Sequence, residues 1–139
     1  MRIGADYYPE HWEKERWKTD AEMMVKANIK VIRIGEFAWS LYEPEEGKYE
    51  FDWMDEALDF FGKYGIKVVM CTPSATPPKW MIDKYPDILQ NDIHGNPKLF
   101  GTRKHYCFNS ETYREKTKKL NTLIAKRYAK HPAIEACSR

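Results

Sequence analysis

The feature that most constrains the fold is a regular alternation of strand-like and helix-like segments. Short apolar or β-branched runs lie at 2–7, 31–34 and 66–71, and another begins at Ala133. A segment with apolar residues at helical spacing follows each of the first three runs. Strand–helix alternation predicts right-handed crossovers and a parallel sheet. The sequence therefore predicts an α/β fold with three strand–helix units and the start of a fourth strand.

The predicted helices begin and end at residues with known capping preferences. They cover about 13–26, 52–65, 79–84 and 110–130. Asp52 is a good N-cap for the second helix, which Gly65 ends, and Ser110 can cap the last one. The segment 35–51 is predicted to be a long loop, because it is rich in glutamate, glycine, proline and aromatic residues. The segment 86–109 is predicted to be irregular, with a turn at 94–97.

Two architectures fit this alternation, a (β/α)8 TIM barrel and a small doubly wound domain. A closed barrel needs roughly 250 residues. This sequence of 139 residues would hold about the first three βα units and the start of strand four. The first βα turn lacks the glycine-rich phosphate-binding pattern of many doubly wound domains. Long loops follow the strands, as active-site loops do in a barrel. We therefore predict that 1–139 is a single, incomplete portion of a barrel domain.

Composition and charge exclude several classes of protein. The chain is 42% hydrophobic, which is enough for a compact core. Its formal net charge of +2 comes from interspersed positive and negative residues, so neither nucleic acid nor an anionic membrane is an expected partner. The sequence carries no apolar leader and no run of membrane-spanning length. Its three cysteines lie far apart, which argues against a disulfide framework. These features lead us to expect a cytoplasmic protein.

Four sequence blocks carry a resemblance to a known family. They are DYYPEHW at 6–12, RIGEFAWS at 33–40, TPSATPPKW at 72–80 and GTRKHYCFNS at 101–110. The first block follows the first predicted strand, the second closes the second strand, the third follows the third strand, and the fourth comes last. In order and spacing they resemble the opening of a glycoside hydrolase family 42 β-galactosidase, from Met1 to about Pro132.

The resemblance implies retaining hydrolysis of terminal, non-reducing β-D-galactose residues in β-D-galactosides. Two carboxylates about 5–5.5 Å apart perform such chemistry, one as acid/base and one as nucleophile. In the family the acid/base glutamate follows an asparagine at the end of strand four, and the nucleophile follows strand seven. This sequence contains no Asn-Glu pair, and Glu135 comes too early to serve as the acid. We therefore assign no catalytic residue here and expect the 139-residue chain to be inactive by itself.

Three residues are predicted to bind substrate. Arg103 matches the family arginine that reaches the galactose hydroxyls, and a rigid guanidinium fork suits that task. Glu36 comes just after the second strand, where it could orient a sugar hydroxyl or anchor loop backbone. Arg33 lies in an apolar strand, where it would be costly unless Asp6 or Glu36 pairs with it. It resembles an arginine that pairs with the nucleophile in related barrels.

The aromatic content and one cysteine give further expectations. Aromatic residues make up 14% of the chain, which is explained by core packing or by stacking on sugar rings. Tyr7, Trp39 and Trp80 are the candidate pocket aromatics, although core packing also explains each of them. Cys107 matches a family cysteine that contributes to a structural zinc in many members. Zinc needs about four ligands, so Cys107 could bind it only in a full-length protein. No other cofactor is expected.

A different class of function fits the same aromatic residues. A non-catalytic carbohydrate-binding or interaction module would bind galactose without hydrolysing its glycosides. A longer reading frame with an Asn-Glu pair soon after Pro132 would favour the glycosidase. By resemblance, the full-length protein is expected to form a homo-oligomer, commonly a trimer, with a galactoside as its substrate.

Overall fold

The computed structural model of the chain describes residues 3–101 and 105–138. Its strands are β1 (Ile3–Asp6), β2 (Ile29–Ile34), β3 (Lys67–Cys71) and β4 (Ile134–Ser138). All adjacent strands run parallel, in the order β1-β2-β3-β4. Doubly wound sheets reverse their strand order at a switch point beside the first strand. Here the described strands follow one another without reversal, as consecutive strands of a barrel do.

The helices alternate with these strands as predicted. They are α1 (Lys14–Lys26), α2 (Trp39–Tyr42), α3 (Asp52–Lys63), α4 (Lys79–Lys84) and α5 (Glu111–Tyr128). Short 3-10 turns lie at Pro9–His11, Pro73–Ala75 and Pro86–Ile88. Helix α2 lies in a segment predicted as loop, and the other four helices confirm the predictions. Among the described residues, no helix is both long enough and apolar enough to cross a membrane.

The chain divides into two compact units. The first comprises 1–35, 51–72 and 127–139, and the second comprises 36–50 and 73–126. The first unit contains the whole sheet with α1 and α3. Helix α1 contacts β2, and α3 contacts β3. The second unit contains α2, α4, most of α5 and the loops between them.

Aromatic rings fill the core of the first unit. The ring of Phe61 on α3 is fully buried and meets the ring of Tyr7 edge-on, with centroids 5.2 Å apart. Trp17 on α1 lies 6.2 Å from the same ring and is 5% exposed. The apolar faces of α1 and α3 therefore pack into this core. Val25 of α1 is 42% exposed, because Met24 beside it takes the inward position.

A second aromatic cluster forms the core of the other unit. The rings of Tyr106 and Tyr113 stack with centroids 4.5 Å apart. Trp39 of α2 is fully buried and lies 6.2 Å from Tyr113. Leu120 and Ile124 continue the buried stripe of α5 at helical spacing. Tyr113 thus belongs to the apolar face of α5 and also packs against the rings of Tyr106 and Trp39.

Helix ends agree with the sequence prediction except at Asp52. Residue Phe51 takes the N-cap position of α3, and Asp52 is its first helical residue. A carboxylate in the first turn still interacts favourably with the helix dipole. At the other end, Gly65 adopts a φ of 72°, the left-handed conformation that glycine tolerates best after a helix.

Ser110 caps α5 through its hydroxyl, as predicted. Its Oγ accepts the backbone N–H of Tyr113 at 3.2 Å. The same hydroxyl donates to Oδ2 of Asp87 at 3.0 Å. The cap therefore also ties the start of α5 to the turn at Pro86–Ile88.

We predict that Ser110→Ala lowers the free energy of unfolding by about 1 kcal/mol, the usual value of a lost N-cap. Chemical denaturation measures the change. Thr122→Ala is the matched control, since that exposed hydroxyl donates to the Lys118 carbonyl within α5. Equal losses in the two variants would contradict a capping role for Ser110.

Candidate functional site

The carboxyl ends of β1 and β2 carry an ion pair. Nη1 of Arg33 lies 3.5 Å from Oδ1 of Asp6, and the two residues are register partners in the sheet. The backbone of Arg33 is also fixed, because its carbonyl accepts the N–H of Tyr7 at 3.0 Å. Asp6 is one of the two partners expected for Arg33, and the structure shows an ion pair between them. The side chain of Arg33 as a whole is 31% exposed.

The turn after β1 holds a buried carboxylate. The turn is the 3-10 turn at Pro9–His11. It is attached to α1 by a hydrogen bond from Trp17 Nε1–H to the carbonyl of Pro9 at 3.0 Å. Both carboxylate oxygens of Glu10 are inaccessible to solvent and form no hydrogen bond with another described residue. Burial raises the pKa of Glu10; its own backbone N–H and nearby His11 partly oppose that shift. An unpaired carboxylate is a costly feature in a protein interior.

The segment after β2 turns sharply and enters α2. Gly35 adopts a φ of 86°, which allows the turn at Glu36 and Phe37. Glu36 is half-buried and lies where the sequence placed it, just past the strand end. Its role in substrate binding stays a prediction.

Glu43 organises the loop between α2 and α3. The residue is 2% exposed, and its carboxylate accepts Trp39 Nε1–H at 3.0 Å and Gly47 N–H at 2.9 Å. Its backbone carbonyl accepts Trp80 Nε1–H at 2.8 Å. One residue thus satisfies the polar atoms of two tryptophans and closes the turn at Gly47. Burial and the nearby Glu43 carboxylate raise the pKa of Tyr49 to about 12.

The segments after β2 and β3 are joined by a hydrogen bond. Thr76 Oγ1–H donates to the carbonyl of Phe37 at 3.2 Å. The 3-10 turn at Pro73–Ala75, just before Thr76, is also held in place. The hydroxyl of Tyr113 donates to the Ser74 carbonyl in this turn at 2.7 Å. These bonds place residues that follow two neighbouring parallel strands side by side.

A cleft of about 440 Å³ lies within the second unit. Its described walls come from the segments after β2 and β3 and from the residues that precede and follow 102–104. They include Phe37, Pro77, Pro78, Phe100 and His105. A volume of this size is within the roughly 300–1,000 Å³ typical of small-molecule sites. The chain therefore has a preformed concave site built by loops that follow strands.

The aromatic residues of this cleft differ from those singled out in the sequence. Tyr7 and Trp39 are core residues, 8% and 0% exposed, and Trp80 points its N–H at the Glu43 carbonyl. Phe37 and Phe100 form the walls instead. Phe37 could have been identified from its block, since it lies in the turn that follows β2. No signal in the sequence separates Phe100 from its neighbours.

Two of the predicted site residues need separate comment. Arg103 lies outside the described residues, so its assignment stays a prediction. Cys107 is half-buried, and its backbone bonds to Ile88 and Ser110. Within 3–101 and 105–138, no group of three or more His, Cys, Asp or Glu could hold a metal ion. Cys107 alone does not make a zinc site.

The parallel sheet, the consecutive strand order and the site made by loops after strands define a class. They are the features of a (β/α)8-barrel protein, a fold whose functional loops follow the strands. The structure agrees closely with a solved member of that class. The β-galactosidase of the psychrophilic Marinomonas ef1 superimposes with a TM-score of 0.95 and is 45% identical, over 99% of this chain and 21% of that one.

Sequence comparison identifies the family. A sequence model of β-galactosidases, glycoside hydrolase family 42, matches residues 6–138. The β-galactosidase of Thermus thermophilus is 52% identical over 95% of this chain, and that of Haloferax lucentense, BgaH, is 48% identical over 96%. The chain spans about a fifth of the length of these relatives. It belongs to glycoside hydrolase family 42.

We predict that Glu43→Gln destabilises the protein by about 1–3 kcal/mol. The substituted amide keeps one acceptor oxygen but turns its NH2 group toward either Trp39 Nε1–H or Gly47 N–H, so a buried donor loses its acceptor. Chemical denaturation followed by tryptophan fluorescence measures the loss. The exposed pair of Glu45 and Lys48 supplies the control, since Glu45→Gln should change stability by less than about 0.5 kcal/mol. Similar losses of stability in Glu43→Gln and Glu45→Gln would refute the role of Glu43 in anchoring the loop.

We predict that Glu10→Gln stabilises the protein at pH 7. The folded pKa of Glu10 is raised above its usual 4.5, so the ionised form penalises folding above that pKa. As the pH falls through the folded pKa toward 4.5, the carboxyl protonates in the folded state and the penalty disappears. The difference in melting temperature between Glu10→Gln and wild type should therefore shrink over this interval. Glu22→Gln, on the exposed side of α1, is the control, and an equal pH dependence there would count against the prediction.

Proposed function

We propose that the whole protein carrying this chain hydrolyses terminal, non-reducing β-D-galactose residues of β-D-galactosides with retention of configuration. The observation that supports this most directly is the match of 6–138 to the β-galactosidase family. The relatives at 48–52% identity are themselves named β-galactosidases. Close similarity along nearly the whole chain argues for the same chemistry in the complete barrel.

In this proposal the chain contributes substrate-binding groups rather than the reacting carboxylates. Arg103, Arg33 and Glu36 bind or orient galactose hydroxyls. The pairing of Arg33 with Asp6 limits the conformations of its guanidinium, which lowers the entropy lost on binding a ligand. The acid/base and nucleophile glutamates come from other segments of the barrel. The 139-residue polypeptide by itself is therefore proposed to be inactive.

Other properties of the whole protein are proposed on the family resemblance. Cys107 would supply one thiolate to a structural zinc whose other ligands come from elsewhere in the protein. The reaction needs no further cofactor. The protein would act in the cytoplasm as a homo-oligomer, commonly a trimer in this family, with neither a nucleic acid nor a membrane as partner.

The proposed reaction is tested with the full-length protein and methyl β-D-galactoside. We expect release of β-galactose as the first-formed anomer, observed by proton NMR before mutarotation. Arg103→Ala should lower kcat/KM about 10- to 100-fold, because it removes charge-assisted hydrogen bonds to the sugar. Arg114→Ala, on the exposed face of α5, should leave kcat/KM within about twofold of wild type, as expected of a surface substitution.

Three results would contradict the proposal in different ways. Failure to hydrolyse any β-galactoside would refute the glycosidase and favour a carbohydrate-binding module, which galactose binding by calorimetry would reveal. Release of α-galactose would refute retention but not hydrolysis. Unchanged kcat/KM in Arg103→Ala would remove Arg103 from the substrate site.

A further inference from the structure

Glu10 is a buried acidic group that the described residues do not satisfy. Both of its carboxylate oxygens are inaccessible to solvent and form no hydrogen bond with another described residue. The next two backbone N–H groups, those of His11 and Trp12, donate instead to the carbonyls of Tyr8 and Pro9. The imidazole of His11 stacks on the ring of Tyr8, with centroids 5.2 Å apart. The neighbours of Glu10 within the turn are therefore engaged elsewhere.

The two cationic residues in the first turn of α1 pair with other carboxylates. Lys14 forms an ion pair with Glu56. Arg16 pairs with Asp20 one helical turn later, with Nε 2.7 Å from Oδ1. A carboxylate that has left water needs a counter-charge or several donors to remain ionised. The described part of the chain thus leaves Glu10 in need of a positive partner.

The turn that carries Glu10 lies at one edge of the described sheet. Among the described strands, β1 has one neighbour, β2. In a closed (β/α)8 barrel the first strand also pairs with the last one. This chain spans about a fifth of the length of its β-galactosidase relatives, so the last strand would come from another segment of the whole protein. The connection that follows that strand begins at the same end of the barrel as the Glu10 turn.

A hollow of about 480 Å³ lies beside the same turn. Its walls come from β1, the turn and α1, and they include Trp12 and Met23. These two side chains are 49% and 58% exposed. Large apolar side chains gathered around one hollow indicate a surface that another element covers. The hollow and the unpaired edge of β1 therefore favour the same occupant, the last strand–helix unit of the barrel.

We propose that in the whole protein the carboxylate of Glu10 pairs with a lysine or arginine side chain from the segment that follows the last strand of the barrel. The pair joins the first strand–helix connection to the last one, where the sheet closes. It is independent of the proposed reaction, because it neutralises a charge in the scaffold and contacts no substrate. Removal of one member of such a pair is costly, since the other charge stays in the interior without a partner.

The test compares Glu10→Gln and Glu10→Met in two settings, the 139-residue chain and the full-length protein. Calorimetry at pH 7 and one scan rate gives the melting temperatures. In the chain by itself, as already predicted for Glu10→Gln, both substitutions should raise the melting temperature, because they remove an uncompensated buried charge. In the full-length protein both should lower it, by roughly 2–5 °C, because the partner cation stays buried. Glutamine keeps an acceptor oxygen for that cation, so Glu10→Met should cost more.

The matched controls are Glu22→Gln and Glu22→Met. Glu22 is exposed on α1, so the same chemical changes there remove no buried charge. The melting temperature of either control should stay close to that of wild type in both settings. The controls therefore separate the loss of a buried charge from a general effect of lowering the negative charge of the protein.

A change of sign between the two settings supports the pair. If both Glu10 variants raise the melting temperature of the full-length protein as well, or leave it unchanged, Glu10 has no cationic partner there and the proposal is refuted. If Glu10→Met lowers it but Glu10→Gln does not, a neutral donor binds the carboxylate, and the cation is refuted. If the variants fail to stabilise the chain by itself, Glu10 is already satisfied there, which also refutes the proposal. A full-length protein that hydrolyses no galactoside can still show the change of sign, so this proposal and the proposed function fail separately.

Discussion

Parallel pairing of the strands is the constraint on which the rest of the structure depends. Parallel neighbours cannot be joined by a tight turn, so each connection must return to the other end of the sheet. The chain therefore leaves every strand at its carboxyl end, and the segments after β1, β2 and β3 begin at the same edge. Asp6 and Arg33 meet there because they are register partners. The functional residues of this fold follow strands for the same reason.

A long connection must then be held in one conformation, and buried polar groups do this in the segment after β2. The Glu43 carboxylate is removed from water but receives two N–H donors, so its desolvation is offset. The remainder of the loop is attached by Glu46, which pairs with Lys84 and Lys116 and accepts the hydroxyl of Tyr85. Hydrogen bonds from these partners lower the pKa of Glu46 to about 2. The loop is thereby fixed by charge at its surface and by hydrogen bonds in its interior.

The sequence predicted the fold better than the site, and the reason is physical. Strands and most helices depend on local periodicity, so α4 was located to the residue, and Gly65 and Ser110 marked helix ends correctly. Helix α2 was missed because only four residues form it and its stability comes from the burial of Trp39 and Tyr42. Of the adjacent apolar residues Met24 and Val25 in α1, Met24 is buried and Val25 is exposed. Local pattern does not decide between adjacent apolar residues at the edge of a helical stripe.

Two glutamates show why the polar interior escapes sequence analysis. Glu10 and Glu43 both lie in segments that follow strands, in blocks rich in aromatic residues and proline. The carboxylate of Glu43 meets Trp39 and Gly47, whereas that of Glu10 meets no donor from another described residue. The difference lies in the donors that tertiary packing brings to each site. Neither the residue type of these two glutamates nor the spacing of their neighbours in the sequence identifies these donors.

The dependence of buried polar groups on partners from tertiary packing also explains which aromatic residues line the cleft. A tryptophan can be buried cheaply only where its N–H finds an acceptor. Glu43 supplies acceptors for both Trp39 and Trp80, one from its carboxylate and one from its backbone. Phenylalanine carries no polar atom, so a partly exposed position in an apolar cleft costs it no hydrogen bond. Trp39 and Trp80 therefore stabilise the scaffold through Glu43, whereas Phe37 and Phe100 line the cleft.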